Sequence, residues 1–360
     1  RKDASMIPSK IHTDFDNNVR KIVDEKRLIS DSLGVLAHGT DASFYRLIPK
    51  VVVRAESEAE VVTVLETAHA MGLPVTFRAA GTSLSGQAVT DSILLVAGNC
   101  WTDHTILDDG ARIRLQPGII GAQANRYLAP LGKKIGPDPA SINAAMIGGI
   151  AANNASGMCC GTAQNSYKTL DSVRVVLADG SLLDTGDAAS RQAFAASHAA
   201  LLERVRALGA DVRADTALAE RIRHKYKLKN TTGYSLNALV DYEDPFDILA
   251  HLMIGSEGTL GFISEIVYRT VVEHAHKASA LMIFANIEDA CRTVFFLQTV
   301  NVNAVELMDR AALRSVENKA GMPAFLKTLP ETATALLVET RAENEDDLQY
   351  NVAMIVQALD

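Results

Sequence analysis

The stretch Leu73-Pro-Val-Thr-Phe-Arg-Ala-Ala-Gly-Thr-Ser-Leu-Ser-Gly-Gln-Ala88 runs from an apolar strand straight into a loop dense in Gly and hydroxyl residues. Such a loop turns consecutive backbone N–H groups toward an anion, because glycine leaves room for the main chain to approach a phosphate. Gly81 and Gly86 match the G-x-x-x-x-G spacing of a P-loop. Gln87 and Ala88, however, stand where an NTPase needs its phosphate-reaching Lys and its Mg²⁺-binding Ser or Thr. No G-x-G-x-x-G follows a strand, so a Rossmann dinucleotide site is not supported. Taken alone, the loop is equally well a plain turn between strand and helix.

Two further segments change that balance. Gly136-Pro-Asp-Pro-Ala-Ser141 leads into Ala145-Met-Ile-Gly-Gly-Ile-Ala-Ala-Asn-Asn-Ala-Ser-Gly157, which sets two rigid prolines and a glycine pair beside small residues. A flat ring system or a pyrophosphate can lie close to such a main chain; small-residue packing is the competing reading. Ile254-Gly-Ser-Glu-Gly-Thr-Leu-Gly-Phe-Ile263 again brackets a single acid with glycines ahead of a strand. One such segment is weak, whereas three in this order form a pattern.

Around them the periodicities predict an α+β fold. A lead-in helix is expected over 14–33 and a polar connection over 34–45. A strand at 50–54 precedes the capping box Ser57-Glu-Ala-Glu60, which opens a helix with Val61, Val64, Leu65 and Ala68 inward and Gly72 at its end. Strands follow at 73–77, 93–97, 112–116 and 172–177, with a helix at 120–131 and a helical, Ala-rich stretch over 188–223. A strand at 261–270 ends the first domain. From Lys277 a new alternation begins: strand 279–284, helix 287–300, strand 304–308, helix 310–319, strand 333–339, helix 343–359. That unit is expected to need at least one more strand, because the last helix leaves a sheet edge uncovered. A truncated chain or a product of proteolysis is therefore expected. The domains expected are a helical lead-in at 1–38, a cofactor domain at 39–272 and the start of a second domain at 273–360.

The chain has 360 residues, 48% of them apolar and 22% charged, with a net charge of −8. The length suits two or more domains. The acidic balance argues against nucleic acid as the main partner. No stretch approaches the ~18 apolar residues of a membrane span, and 1–9 lacks a signal-peptide core, so a cytoplasmic protein is expected, peripherally membrane-associated at most. Cys100, Cys159, Cys160 and Cys291 show no C-x-x-C spacing, which leaves buried, reduced thiols as the better explanation. His274-Ala-His276 puts two imidazoles on one face of a strand, but without a third ligand an exposed inter-domain strand is the expected setting. No metal site is expected within the chain.

Taken together, 49–53, 81–87, 136–141, 147–157, 177–180 and 255–261 resemble the FAD-binding domain of the vanillyl-alcohol-oxidase or PCMH type. The chain is most similar to FAD-linked D-lactate, glycolate and D-2-hydroxyglutarate dehydrogenases. The resemblance implies a two-subdomain FAD-binding fold followed by the start of an α+β, ferredoxin-like substrate cap, of which Glu306-Leu-Met-Asp309 matches a recurrent piece. Asn153–Gly161 and Gln164–Tyr167 resemble the long bacterial dehydrogenases that carry a C-terminal iron–sulfur domain. It also implies roles for single residues. Arg78, Ala80, Gly81, Thr82, Ser83, Gly86 and Gln87 would hold the pyrophosphate, mainly through backbone N–H groups. Pro137, Asp138, Ser141, Gly148, Gly149, Ala152 and Gly157 would line the ribityl chain, flavin edge and diphosphate. Glu257, Gly258 and Ile263 would border the adenosine. Several relatives link FAD covalently to a His near the first loop; none lies between Arg78 and Ala88, so non-covalent FAD is expected.

Lys225-Tyr-Lys-Leu-Lys-Asn-Thr-Thr-Gly-Tyr234 is a basic run ending in a polar loop. A cationic lip would concentrate an anionic hydroxy acid, but a solvated helix end is the better reading of Lys225 and Lys227. By resemblance Lys229, Asn230 and Tyr234 are candidates for contacts near substrate or cofactor. Oxidising a 2-hydroxy acid needs a hydride acceptor, a base and a cation for the carboxylate. The resemblance places the base and the carboxylate-binding groups beyond Asp360, in an Arg-containing cap segment and a His-rich motif able to bind a divalent metal; neither motif occurs here. The chain alone is expected to bind FAD without turning over D-lactate.

The substrate implied is D-lactate ahead of D-2-hydroxyglutarate or glycolate. Electrons would pass to an iron–sulfur domain carrying 4Fe-4S clusters, and onward to a quinone or cytochrome. A homodimer is a further implied partnership. A non-catalytic FAD-binding subunit of a multi-subunit oxidase is the alternative. A cell-wall reductase of the same fold would need NADPH and a different third domain.

Overall fold

Apolar β-branched runs and one amphipathic helix build the first sheet. The structure, a computed structural model, describes residues 9–98 and 100–359; the first eight residues of the expected lead-in, Asn99 and Asp360 lie outside the described residues. Strands β1 (Leu28–Ile29), β2 (Val51–Ala55), β3 (Val75–Arg78) and β4 (Ile93–Ala97) form a sheet in the order β1-β2-β4-β3. β2 and β3 both run parallel to β4, and β1 is antiparallel to β2. The helix Glu58–Ala70 makes the crossover that parallel strands require. Ser57 Oγ caps it by accepting from Glu60 N at 3.3 Å, and Val61, Val64, Leu65 and Ala68 are buried as expected.

The lead-in differs from the single helix expected over 14–33. It consists of a helix Lys10–Val19, a 3₁₀ turn Glu25–Arg27, the strand β1 and a helix Ser32–Ala37. Two aspartates cause the breaks: Asp24 accepts from Lys26 N and Asp31 from Gly34 N, each starting a new turn. Leu28 and Ile29 pair with Val53 and Val52, and Phe15, Val19 and Val23 enter the core of this sheet. Arg27 closes the arrangement with two 2.6 Å bonds to the Glu60 carboxylate.

The second sheet is antiparallel along the order β5-β6-β10-β8-β9, and β7 also pairs with β10. Its strands are β5 (His104–Leu107), β6 (Arg112–Leu115), β7 (Lys133–Ile135), β8 (Leu170–Val176), β9 (Leu182–Asp184) and β10 (Phe262–Val272). Alternation decides its faces. Ile113, Leu115, Val173, Val175, Ile266 and Tyr268 point into a core shared with the helices Gly121–Leu128, Ile147–Asn153 and Pro245–Met253. Arg112, Arg114, Arg174, Asp171, Asp184 and Glu265 form ion pairs on the opposite face. The stretch expected to be helical over 188–223 is three helices, Ala188–Ser197, Ala199–Ala214 and Thr216–Lys225.

The two sheets are joined by aromatic packing and one half-buried ion pair. Trp101 stands edge-on to Phe262 at 5.3 Å, Phe262 edge-on to Phe77 at 5.4 Å, and Trp101 Nε1 donates to Ala55 O at 2.7 Å. Glu58, at the start of the first helix of the parallel sheet, receives Arg174 from β8 at 2.7 and 2.8 Å and Ser264 from β10 at 2.7 Å. Contacts divide the chain into two compact units, 1–271 and 272–360.

The second unit is a three-stranded antiparallel sheet of β11 (His276–Phe284), β12 (Ala304–Met308) and β13 (Thr334–Ala342), in the order β11-β13-β12. The helices Ile287–Leu297 and Glu345–Leu359 pack on one face, where Ala290 and Leu297 meet Leu336 and Val338. Of the recurrent Glu306–Asp309 piece, Asp309 caps the helix Arg310–Val316 by accepting from Ala312 N at 2.8 Å. His276 Nδ1 meets the Glu345 carboxylate at 3.1 Å. Among the described residues no group of three His, Cys, Asp or Glu could hold a metal, and no helix is long and apolar enough to cross a membrane.

Burial opposes the charged form of Glu58, yet the bonds from Arg174 and Ser264 outweigh it and hold the carboxyl below its usual range. That contribution to stability is present above the unfolded-state pKa, ~4.3, and is lost as pH falls through the lower folded value. Glu58→Gln should therefore lower the melting temperature at neutral pH, with the gap to wild type narrowing below about pH 4. Thermal scans across that range check it; a gap independent of pH contradicts it.

Candidate cofactor cleft

The loops that leave β3, the helix Ile147–Asn153 and the turn before β10 converge on one cleft of about 390 Å³ in the first unit. Their glycines act locally. At Gly81 and Gly86 φ is +69° and +79°, which only glycine adopts without strain, and this bends the first loop. The main-chain N–H groups of Gly81, Thr82 and Ser83 have no acceptor among the described residues. Arg78 Nε donates to Ala88 O at 2.9 Å, which fixes the guanidinium at the cleft wall, with no carboxylate in ion-pair contact among the described residues. Burial pulls its pKa down, and Asp41 partly offsets that.

Glu257 ties the three segments together. Its Oε1 accepts from Asn153 Nδ2 at 2.7 Å and from Gln87 Nε2 at 3.1 Å. Ser83 Oγ in turn donates to Gln87 Oε1, and Glu257 N donates to Ala152 O at 2.8 Å. Glu257 itself sits at φ +53°, a left-handed conformation held by this ring of bonds. Burial pushes its carboxyl up, while the two amides work in the other direction.

Of the residues singled out in sequence, Arg78, Ala80, Gly81, Thr82, Ser83, Gln87, Ser141, Gly148, Gly149, Ala152, Glu257, Gly258 and Ile263 line the cleft, and Lys229 joins them. Gly86, Pro137, Asp138 and Gly157 do not. Asp138 Oδ1 instead accepts from Gly157 N at 3.0 Å and Cys160 N at 3.2 Å, and a Cβ on Gly157 would lie 1.9 Å from Asp138 O. These residues shape the loop behind the wall. Asn230 folds on itself, accepting from Thr232 Oγ1 at 2.9 Å, and Tyr234 Oη meets Thr259 Oγ1 at 2.6 Å; neither lines the cleft. Lys225 and Lys227 are exposed at the end of a helix. Burial pushes the Cys160 thiol up to about 11, with Asp138 adding to it, which is the reverse of a reactive thiolate.

Sequence reasoning missed Phe77, Pro117, Met146, Asn153, Ser156, Thr231 and Phe262 as cleft residues. Asn153 and Ser156 sat inside a quoted motif, and their polarity among Ala and Gly was the available signal. Thr231 lay in the quoted Lys225–Tyr234 run beside two candidates, whereas Pro117 carried no signal, since tertiary folding alone brings it in.

The cleft suits a flat, dianionic, two-ended cofactor. It has free N–H groups and Arg78 for phosphate, apolar walls from Phe77, Ile150 and Phe262, and Gly149, whose Cβ position is open for 4 Å. No His, Cys or Tyr lines it among the described residues. The family model described as FAD binding domain matches residues 49–186, and that of the C-terminal domain of FAD linked oxidases matches 273–360. The chain belongs to the FAD-linked oxidases. Its cofactor is FAD.

Among curated proteins, the chain is 23% identical to D-2-hydroxyglutarate dehydrogenase of Haemophilus influenzae, over 90% of this chain and 33% of that one. It is 25% identical to D-lactate dehydrogenase of Anaerostipes hadrus, over 95% and 62%. It is 27% identical to the glycolate oxidase subunit GlcD of Escherichia coli, over 78% and 47%. The chain thus spans between a third and less than two thirds of these relatives. A solved alkyldihydroxyacetonephosphate synthase superposes with a TM-score of 0.67 at 15% identity, over 98% of this chain and 60% of that one, which shows the shared α+β fold.

Substitutions at two positions test this geometry. Glu257→Ala strands the Gln87 and Asn153 amides and should cost about 1–3 kcal/mol, whereas Glu257→Gln keeps an acceptor oxygen and should cost under ~1 kcal/mol; denaturant melts separate them. Gly149→Leu should leave the fold intact, because its Cβ meets nothing, yet weaken FAD by about tenfold or more as the side chain enters the cleft. Circular dichroism and flavin retention on a sizing column check it.

Proposed function

We propose that the protein is an FAD-dependent dehydrogenase of D-2-hydroxy acids, with D-lactate the leading substrate. The observation that carries this reading is the Glu257-bound cleft in a chain whose relatives are named as D-2-hydroxyglutarate dehydrogenase, D-lactate dehydrogenase and a glycolate oxidase subunit. FAD when bound supplies the hydride acceptor; the residues of this cleft bind and orient it. Gly81, Thr82 and Ser83 offer main-chain N–H groups to the pyrophosphate beside Arg78, and Gly148 and Gly149 let the cofactor approach the helix backbone. Glu257 and its amides hold the three loops at fixed spacing, so that binding does not have to order them.

No imidazole lines the cleft among the described residues, and its one acid, Glu257, is engaged by two amides. The base that takes the hydroxyl proton is therefore a group from outside this cleft. The electrons leave to an iron–sulfur partner or a respiratory acceptor. The FAD is non-covalent, the setting is cytoplasmic or at the inner membrane face, and a homodimer is the assembly. The second reading, an FAD-binding subunit that depends on a partner chain for turnover, is favoured by the similarity to the glycolate oxidase subunit.

Purified protein should show the absorption bands of oxidised flavin, and acid or heat should release that flavin into the supernatant. In the presence of the complete enzyme or its partner chain, anaerobic D-lactate should bleach those bands faster than D-2-hydroxyglutarate or glycolate. Bleaching fastest with one of the other acids reassigns the substrate; no bleaching by any of them refutes the dehydrogenase reading.

A further inference from the structure

Ser156 is a cleft residue to which the binding scheme above gives no role. It is 6% exposed, it lines the cleft, and its Oγ has no hydrogen-bond partner in the protein. A hydroxyl left unpaired at that depth costs roughly 1–3 kcal/mol, so in a cleft it calls for a partner from ligand or water. The carbonyl of the same residue is occupied, because Lys229 Nζ donates to Ser156 O at 2.6 Å. That bond uses one of the three ammonium N–H groups and leaves two for other acceptors, on a side chain that is solvent-exposed and also lines the cleft. Ser156 thus carries an unsatisfied hydroxyl and fixes a cation at the same point of the wall.

Among the described residues, Arg78 and Lys229 are the two cationic side chains lining the cleft, and they are anchored to different carbonyls, Ala88 and Ser156. FAD is negative in two places: permanently at the pyrophosphate and, once reduced, along the pyrimidine edge of its ring. Arg78 and the free N–H groups of the first loop fit the former. We propose that Ser156 Oγ and Lys229 Nζ form one donor corner for the pyrimidine edge, and that the charge of Lys229 favours the reduced cofactor. The inference rests on the FAD assignment and deepens it. Lys229 adds no bond and no electron: the hydride still leaves the substrate as two electrons and one proton, and a fixed cation lowers the free energy of the negative ring that results.

The test uses the 360-residue chain loaded with FAD, as wild type, Lys229→Met, Lys229→Arg and Ser156→Ala. Midpoint potential, affinity for sulfite, which forms an anionic adduct with flavin, dissociation constant for oxidised FAD and melting temperature of the apo chain are measured for each. Lys229→Met should shift the reduced-to-oxidised ratio about tenfold toward oxidised, a fall of ~30 mV for two electrons. It should weaken sulfite by a similar factor while changing oxidised-FAD binding little, and Lys229→Arg should restore both. Ser156→Ala should weaken FAD binding without lowering the apo melting temperature, since no protein bond is lost. Weaker FAD binding by Lys229→Met at unchanged potential would make Lys229 a phosphate ligand and overturn the proposal, as would unchanged potential and sulfite affinity. A wild-type chain that takes up no FAD overturns the cofactor assignment and the donor corner together, and shows before any variant is made.

Discussion

A single carboxylate oxygen holds the cleft together. Glu257 Oε1 receives an amide from Gln87, 170 positions earlier in the chain, and another from Asn153, 104 positions earlier. Each donor stands on a loop whose glycines give it the freedom to bend but no reason to stay at one spacing. The cost of leaving either amide or the acid unpaired at this depth supplies the reason. The left-handed backbone of Glu257 goes with the same constraint: in that conformation its carboxylate meets both amides while its N–H reaches Ala152 O. Ser83, through Gln87, extends the ring of bonds into the anion-binding loop.

The frame beneath the loops is fixed by different forces. Phe77 ends the parallel sheet, Phe262 begins the longest strand of the antiparallel one, and Trp101 wedges against the latter. Both phenylalanines also form part of the cleft wall, so the packing that joins the sheets positions the site as well. Glu58 locks the joint from the polar side, where Arg174 and Ser264 meet it.

Much of this was legible in the sequence because its causes are local. Val51–Ala55, Ile93–Ala97 and Ala304–Met308 follow from β-branched and apolar runs, the helix Glu58–Ala70 from its cap and its inward face, and the three loop segments from glycine spacing. The illegible features depend on distant partners. Nothing in Asp24 or Asp31 shows that they end one turn and start another until Leu28 and Ile29 have the strand Val51–Ala55 to pair with. Asp138 reads as a ligand beside two prolines, yet the nearby Gly157 and Cys160 N–H groups consume it. Tyr234 reads as a contact near the flavin, yet Thr259 takes its hydroxyl. Ser156 was hidden in a quoted motif, since only burial reveals an unpaired hydroxyl.

The central claim is that three separated segments form one FAD wall. Hydrogen exchange of backbone amides, followed by mass spectrometry on the 360-residue chain with and without FAD, addresses it directly. The structure predicts that FAD slows exchange together in 80–88, 147–157 and 255–263, leaving the ion-paired face of the antiparallel sheet unchanged. Protection confined to one of the three segments, or centred on that sheet face, would contradict it.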